Sequence, residues 1–175
     1  MNRFVVISGC SGGGKSTLLN KLLGRGYGIV EEPGRRIIAE EQKTGGEALP
    51  WNDVESFARR AIEMSLLDIE GISNPTDWVF FDRGLVDAAS ALSQITGKPV
   101  TDNLGTQLTY HRKVFLTPPW AEIYVSDAER RHQLSAAIEE YERLLDVYPS
   151  LGYEVTVLPK TSVEARADFV LQQLG

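Results

Sequence analysis

Gly9-Cys10-Ser11-Gly12-Gly13-Gly14-Lys15-Ser16 fits the pattern G-x-x-x-x-G-K-S/T without a gap. Glycines let a backbone curl until several N–H groups point at one centre, and such a nest holds phosphate oxygens. A helix starting at the end of the loop adds unpaired donors and a partial positive charge. Lys15 is then placed for the β- and γ-phosphates, the Ser16 hydroxyl for Mg²⁺, and Thr17 for an α-phosphate oxygen. The chemistry implied is binding of a nucleoside triphosphate. Cys10 lies inside the loop near a helix N-terminus, which is expected to lower its thiol pKa, although the loop can use this position through its backbone alone.

Three further groups could act on a bound triphosphate. Asp82 closes the apolar run Trp78-Val79-Phe80-Phe81, where a carboxylate can hold Mg²⁺ directly or through water, or else cap the next turn. The adjacent Arg83 can contact a substrate anion or pair with Asp82 or Glu32. Glu31-Glu32-Pro33-Gly34-Arg35 follows a short apolar segment. There Glu32 can take a proton from an attacking hydroxyl and Arg35 can hold an anionic acceptor, or the glutamates are simply solvated. In Asp127-Ala128-Glu129-Arg130-Arg131, an arginine on a mobile segment could neutralise charge on a transferring phosphoryl group. Arg130 and Arg131 are equal candidates, and an arginine pair early in a helix is also an ordinary solvated face. Trp120 is expected to pack beside this lid, although its ring could also stack on a ligand. His111 and His132 have no Cys or His partners in pattern and suggest no metal site.

The elements that must position these groups alternate. Phe4–Ile7 reads as a buried strand, and 16–23 has apolar residues at helical spacing. A second strand is expected at 27–30, helix over 35–42, and a long amphipathic helix to about 72 capped by Asn52 with Glu55. The third strand runs 78–81. A helix over 86–96 ends at Gly97-Lys98-Pro99, and Thr101 is expected to cap a short helix reaching His111. Residues 112–116 form a fourth strand, and Pro118-Pro119-Trp120 makes a lid stem. Ser126 with Glu129 opens a helix to about 147, 153–158 is the fifth strand, and Thr161 with Glu164 caps the terminal helix. This order predicts one doubly wound, mostly parallel five-stranded sheet in a three-layer α/β/α sandwich over residues 1–175. The ligand is expected at the strand C-terminal ends, under a lid around 118–131.

Composition narrows the partners. The 175 residues carry 42% hydrophobic and 24% charged side chains, an ordinary balance for one globular domain. A net charge of −6 opposes binding to a nucleic acid polymer, which needs a basic face. One cysteine allows no intramolecular disulfide. No run approaches membrane-spanning length and no signal segment precedes the first strand, so a cytoplasmic protein without a membrane partner is expected. The sequence leaves the oligomeric state undefined.

The order of phosphate loop, Glu32-Pro33-Gly34-Arg35, Phe80-Phe81-Asp82-Arg83-Gly84 and Val114-Phe115-Leu116-Thr117-Pro118-Pro119-Trp120 resembles a family of small AAA-type P-loop ATPases. That family is related to the nicotinamide riboside kinase domain and, more distantly, to deoxynucleoside and thymidylate kinases. The resemblance spans essentially the whole chain, including Ser126 to Arg131. It implies a P-loop kinase-like fold binding ATP and Mg²⁺, with Glu32 as acceptor-side carboxylate, Arg35 as an acceptor contact, and Asp82-Arg83 as the acidic–arginine pair after the third strand. The chain is too short for the helical second domain of AAA+ motors.

The expected activity is therefore transfer of the γ-phosphoryl group of ATP to a nucleoside- or nucleotide-like small molecule. Lys15, Glu32, Asp82 and Arg130 or Arg131 would be its catalytic groups. An ATP hydrolase and a nucleotide-sensing binding module are the alternatives. A GTPase is disfavoured because no guanine-reading N-K-x-D is present, Asn20-Lys21 continuing into Leu22-Leu23.

Overall fold

The computed structural model describes the backbone of residues 2–123 and 128–175, and the side chains of 2–123 and 133–175. Its five strands are β1 (Phe4–Gly9), β2 (Gly28–Val30), β3 (Val79–Asp82), β4 (Lys113–Thr117) and β5 (Glu154–Val157). They form a single sheet in the order β2-β3-β1-β4-β5, with every pair parallel. The sheet is thus wholly rather than mostly parallel. Its central strands are buried on both faces, as parallel strands covered by helices must be.

Alternation along β1 sends side chains to two cores. Val6 joins Phe81, Val114 and Leu116 on one face, beneath α3 (Val54–Gly71), α4 (Leu85–Thr96) and α5 (Ala128–Ser150). Val5 and Ile7 join Phe80 and Phe115 on the other face, beneath α1 (Lys15–Gly24) and α6 (Val163–Leu174). Each fully buried phenylalanine among these contributes about 1.5–3 kcal/mol over an exposed one. The remaining helix, α2 (Pro33–Thr44), begins two residues earlier than its sequence suggests. Pro33 takes the first helical position, where its missing N–H is no loss and its fixed φ suits the helix.

Three sequence expectations about helix starts need correction. Asp53, not Asn52, caps α3 by accepting from the Ser56 amide at 3.0 Å, while the Asn52 side chain donates to the Glu47 carbonyl at 3.2 Å. Ser162, not Thr161, caps α6 through the Ala165 amide at 3.2 Å. No helix runs from Thr101 to His111. A 3-10 turn covers only Val100–Asn103, and the chain then extends so that Tyr110 reaches the core and accepts from the Leu85 amide at 2.8 Å. The expected Ser126 cap lies outside the described residues, and α5 continues to Ser150 with Pro149 in its last turn.

Candidate active site

The phosphate loop leaves the C-terminal end of β1 and is tied to the end of β4. The Cys10 amide donates to the Thr117 carbonyl at 2.9 Å, and the Thr117 hydroxyl donates to the Ser8 carbonyl at 3.2 Å. Gly9 has φ +114°, and a Cβ there would lie 2.9 Å from the Thr117 hydroxyl, so conformation and space both require glycine. Cys10 is fully buried, and burial pushes its thiol pKa up, with Arg83 opposing and Glu140 adding to the rise. The lowered pKa expected from the helix N-terminus is therefore not found: the side chain is buried in the core beneath the loop.

Lys15 and Asp82 meet across neighbouring strands. Ile7 is the register partner of Asp82, and the loop returns Lys15 over the strand ends so that its Nζ lies 2.5 Å from Asp82 Oδ1. Both side chains are buried, and a buried charge persists only when it is partnered. Ser16 and Thr17 are exposed at the start of α1. Arg35 is also exposed, with Nη2 3.5 Å from the Ser16 hydroxyl and Nε 3.3 Å from Glu32.

Arg83 is the hub of the other side. It sits at φ +59°, a left-handed conformation uncommon for a long side chain. Its guanidinium donates to Glu140 at 2.8 Å, to the Gly9 carbonyl at 3.2 Å and to the Ser11 hydroxyl at 3.2 Å. Glu32 lies 3.6 Å away and Asp87 3.7 Å away. Burial opposes its charge, but the carboxylates of Glu140, Asp87, Glu32 and Asp82 outweigh that and raise its pKa further. Asp87 in turn accepts from the Ser8 hydroxyl, the Tyr148 hydroxyl at 2.6 Å and the Gly84 amide at 3.0 Å.

Two cavities meet at Glu32. One, of about 280 Å³, has apolar walls including Phe57 and Ile95 and a polar end of Glu32, Arg83, Asp87 and Glu140 beside Ser11. The other, of about 400 Å³, is bounded by Ser16, Asp82, Glu31, Glu32 and Arg35. Arg35 therefore faces the second cavity rather than the apolar one. A hydroxyl and carboxylates facing one space suit a hard cation such as Mg²⁺. Glu32 precedes α2 without capping it, which leaves its carboxylate to the site. Gly34 keeps the wall close, since a Cβ there would lie 3.2 Å from the Phe57 ring.

The side chains of Arg130 and Arg131 lie outside the described residues. Trp120 packs against Arg166 of α6, its ring centroid 5.3 Å from the guanidinium carbon. Asp87, Glu140 and Arg166 do not stand out in the sequence. Asp87 is a single charge on its helix and Glu140 and Arg166 sit among other charged residues on theirs, so only the tertiary fold singles them out by bringing them to the loop.

The sequence matches the family described as AAA domain over residues 4–166. No curated protein matches the chain. Among solved structures, thymidylate kinase from Ehrlichia chaffeensis superposes with a TM-score of 0.60 at 17% identity, covering 98% of both chains. Deoxyadenosine kinase from M. mycoides, with products dCMP and dCDP bound, gives 0.59 at 16% identity, again over 98% of both. Shikimate kinase from Acinetobacter baumannii, in complex with shikimate, gives 0.58 at 13% identity over 99% of this chain and 93% of that one. At these identities the likeness establishes the fold, that of the P-loop kinases. Among the described residues no helix is long and apolar enough to cross a membrane.

Proposed function

Because this chain belongs to the AAA-domain family, we propose that it is an ATP- and Mg²⁺-dependent phosphotransferase acting on the hydroxyl of a small, nucleoside-like molecule. One observation carries the reading: Glu32 lines both the apolar cavity and the cavity beside Ser16 and Asp82. A carboxylate in that position touches an acceptor on one side and faces the transferring phosphoryl group on the other.

The loop amides and Lys15 would hold the triphosphate. Lys15 is paired with Asp82, so its move to the phosphates frees that carboxylate. Ser16 and Asp82 would hold Mg²⁺, which neutralises charge on the β- and γ-phosphate oxygens when bound. The acceptor oxygen attacks the γ-phosphorus as the bond to the β-bridging oxygen breaks, and the hydroxyl proton passes to Glu32. ADP leaves with the electron pair of the broken bond. Arg130 or Arg131 would close over the transferring group. The AAA-type and deoxynucleoside kinase resemblances support these roles; the nicotinamide riboside resemblance rests on sequence alone.

Charge selects the acceptor. Among the described residues, the apolar cavity carries three carboxylates, Glu32, Asp87 and Glu140, against the single guanidinium of Arg83. A phosphorylated acceptor would meet net repulsion there, whereas an uncharged ring bearing hydroxyls finds apolar walls and hydrogen-bond acceptors. The test is ATP consumption at fixed Mg²⁺ against nucleosides, ribosides and nucleoside monophosphates, with Lys15→Ala as the blank. Stimulation by uncharged hydroxylic compounds alone is expected. Steady acceptor-independent turnover would make the protein an ATP hydrolase, and tight binding without turnover a nucleotide-sensing module.

A further inference from the structure

Arg166 is 5% exposed and comes from the first turns of the last helix, yet it ends at the phosphate loop. Its Nη1 donates to the Gly14 carbonyl at 3.0 Å, while its Nε is buried with no hydrogen-bond partner among the described residues. Among the described residues burial alone acts on its pKa, lowering it, with no acidic neighbour pulling the other way. The Trp120 ring covers one side at 5.3 Å, and a Cβ on Gly14 would lie 2.8 Å from Nη1. Among the described residues every other well-buried cation of the site has a carboxylate: Lys15 has Asp82, and Arg83 has Glu140. A buried guanidinium without a counter-charge is costly to the fold, and arginine does not escape the cost by deprotonating.

Gly14 is the N-cap of α1 and sits in the left-handed region. Its carbonyl also accepts from the Leu18 amide at 3.2 Å, so it points down the helix toward Leu18 and Arg166. In a planar trans peptide the N–H of the next residue points the opposite way. The Lys15 amide therefore faces the loop interior, and the cation on the Gly14 carbonyl strengthens that peptide's dipole. We propose that Arg166 is a positioning residue of the nucleotide site, orienting the Gly14–Lys15 peptide and supplying a buried positive charge whose counter-ion is the polyphosphate of the bound nucleotide. This rests on the nucleotide-binding reading above and deepens it.

The experiment compares wild type, Arg166→Met and Arg166→Lys by calorimetric titration with ATP and with inorganic tripolyphosphate, alongside thermal melting without ligand. Arg166→Met keeps the length and apolar stem but removes the charge. Its unliganded melting temperature should equal or exceed that of wild type, while affinity for both ligands falls about tenfold, the scale of one charge-assisted hydrogen bond. Arg166→Lys should recover much of that affinity. A purely structural residue would behave in the opposite way, with melting lowered and affinity kept, and that result would overturn the proposal. Loss of ATP affinity with tripolyphosphate unchanged would also overturn it, because the pair with Trp120 would then serve the base. If wild type binds neither ligand, the nucleotide reading fails and takes this inference with it; equal affinities in wild type and Arg166→Met defeat this inference alone.

Discussion

Glu32 Oε1 lies 3.6 Å from Nε of Arg83, so the second residue after β2 is held by the residue that follows β3. Those strands are neighbours in the sheet, and their shared edge places the carboxylate at the junction of the two cavities. Glu32→Gln keeps the shape and loses the proton acceptor. Turnover with the identified acceptor should fall by about 10²–10⁴-fold, the range of general-base catalysis. ATP affinity by calorimetry should stay within a few-fold, because the loop and Lys15 are untouched. A variant that turns over like wild type would remove Glu32 from the chemistry.

Arg83 is the only described guanidinium facing Glu32, Asp87 and Glu140 together, and it is almost fully enclosed. Arg83→Met leaves those carboxylates without their cation, which for a buried pair typically costs about 3–5 kcal/mol. Urea unfolding of both proteins at pH 7 measures it, and a loss below about 1 kcal/mol would show that the guanidinium does little to hold this cluster together.

Alkaline stability has a separate origin. Tyr148 is fully buried and its hydroxyl donates to Asp87 at 2.6 Å. Burial first, and then the Asp87 charge and hydrogen bond, raise its pKa well above 10.0. Tyr110 is raised too, chiefly by burial. A group with a raised folded-state pKa binds its proton longer in the folded chain than in the unfolded one. Its contribution is complete below about pH 10 and is lost as pH climbs from there through the folded value. Stability should fall steeply above about pH 10. Tyr148→Phe should lower stability at pH 7 by about 1–2 kcal/mol, by leaving Asp87 one donor short, yet flatten the alkaline decline. Equal alkaline slopes in the two proteins would contradict this.

What was legible in the sequence follows from how local each signal is. The phosphate loop is eight adjacent residues, and its strand and helix flank it directly, so motif, fold and the Asp82 strand could all be read in order. Cap identities failed where two neighbours were equally able. Asn52 and Asp53, like Thr161 and Ser162, differ only in which side chain reaches the amide three residues on. The supposed helix to His111 failed because Tyr110 is claimed by a distant partner: its ring fits against Gly84, where a Cβ would meet the hydroxyl at 2.6 Å. Asp87, Glu140 and Arg166 were invisible for the same reason. Their partners Ser8, Arg83 and Gly14 are distant in sequence, and no periodicity separates such a residue from a solvated face.

Cys10 shows how a correct motif can mislead about a side chain. Its place beside a helix N-terminus argues for a reactive thiolate, but the loop turns its side chain into the core and its sulfur lies 3.4 Å from the Ser11 carbonyl. Burial raises the thiol pKa, so at pH 7.5 the thiolate fraction lies below that of a free cysteine, and the attacking form is also shielded. A disulfide reagent should therefore label the folded protein far more slowly than the urea-unfolded chain, with no acceleration as pH rises from 7 to 8 beyond that of a free thiol. Cys10→Ala should cost about 1 kcal/mol of stability through lost packing and leave ATP affinity within about twofold, since the loop uses this position through its amide. Rapid labelling of the folded protein would place the sulfur on the ligand side of the loop after all.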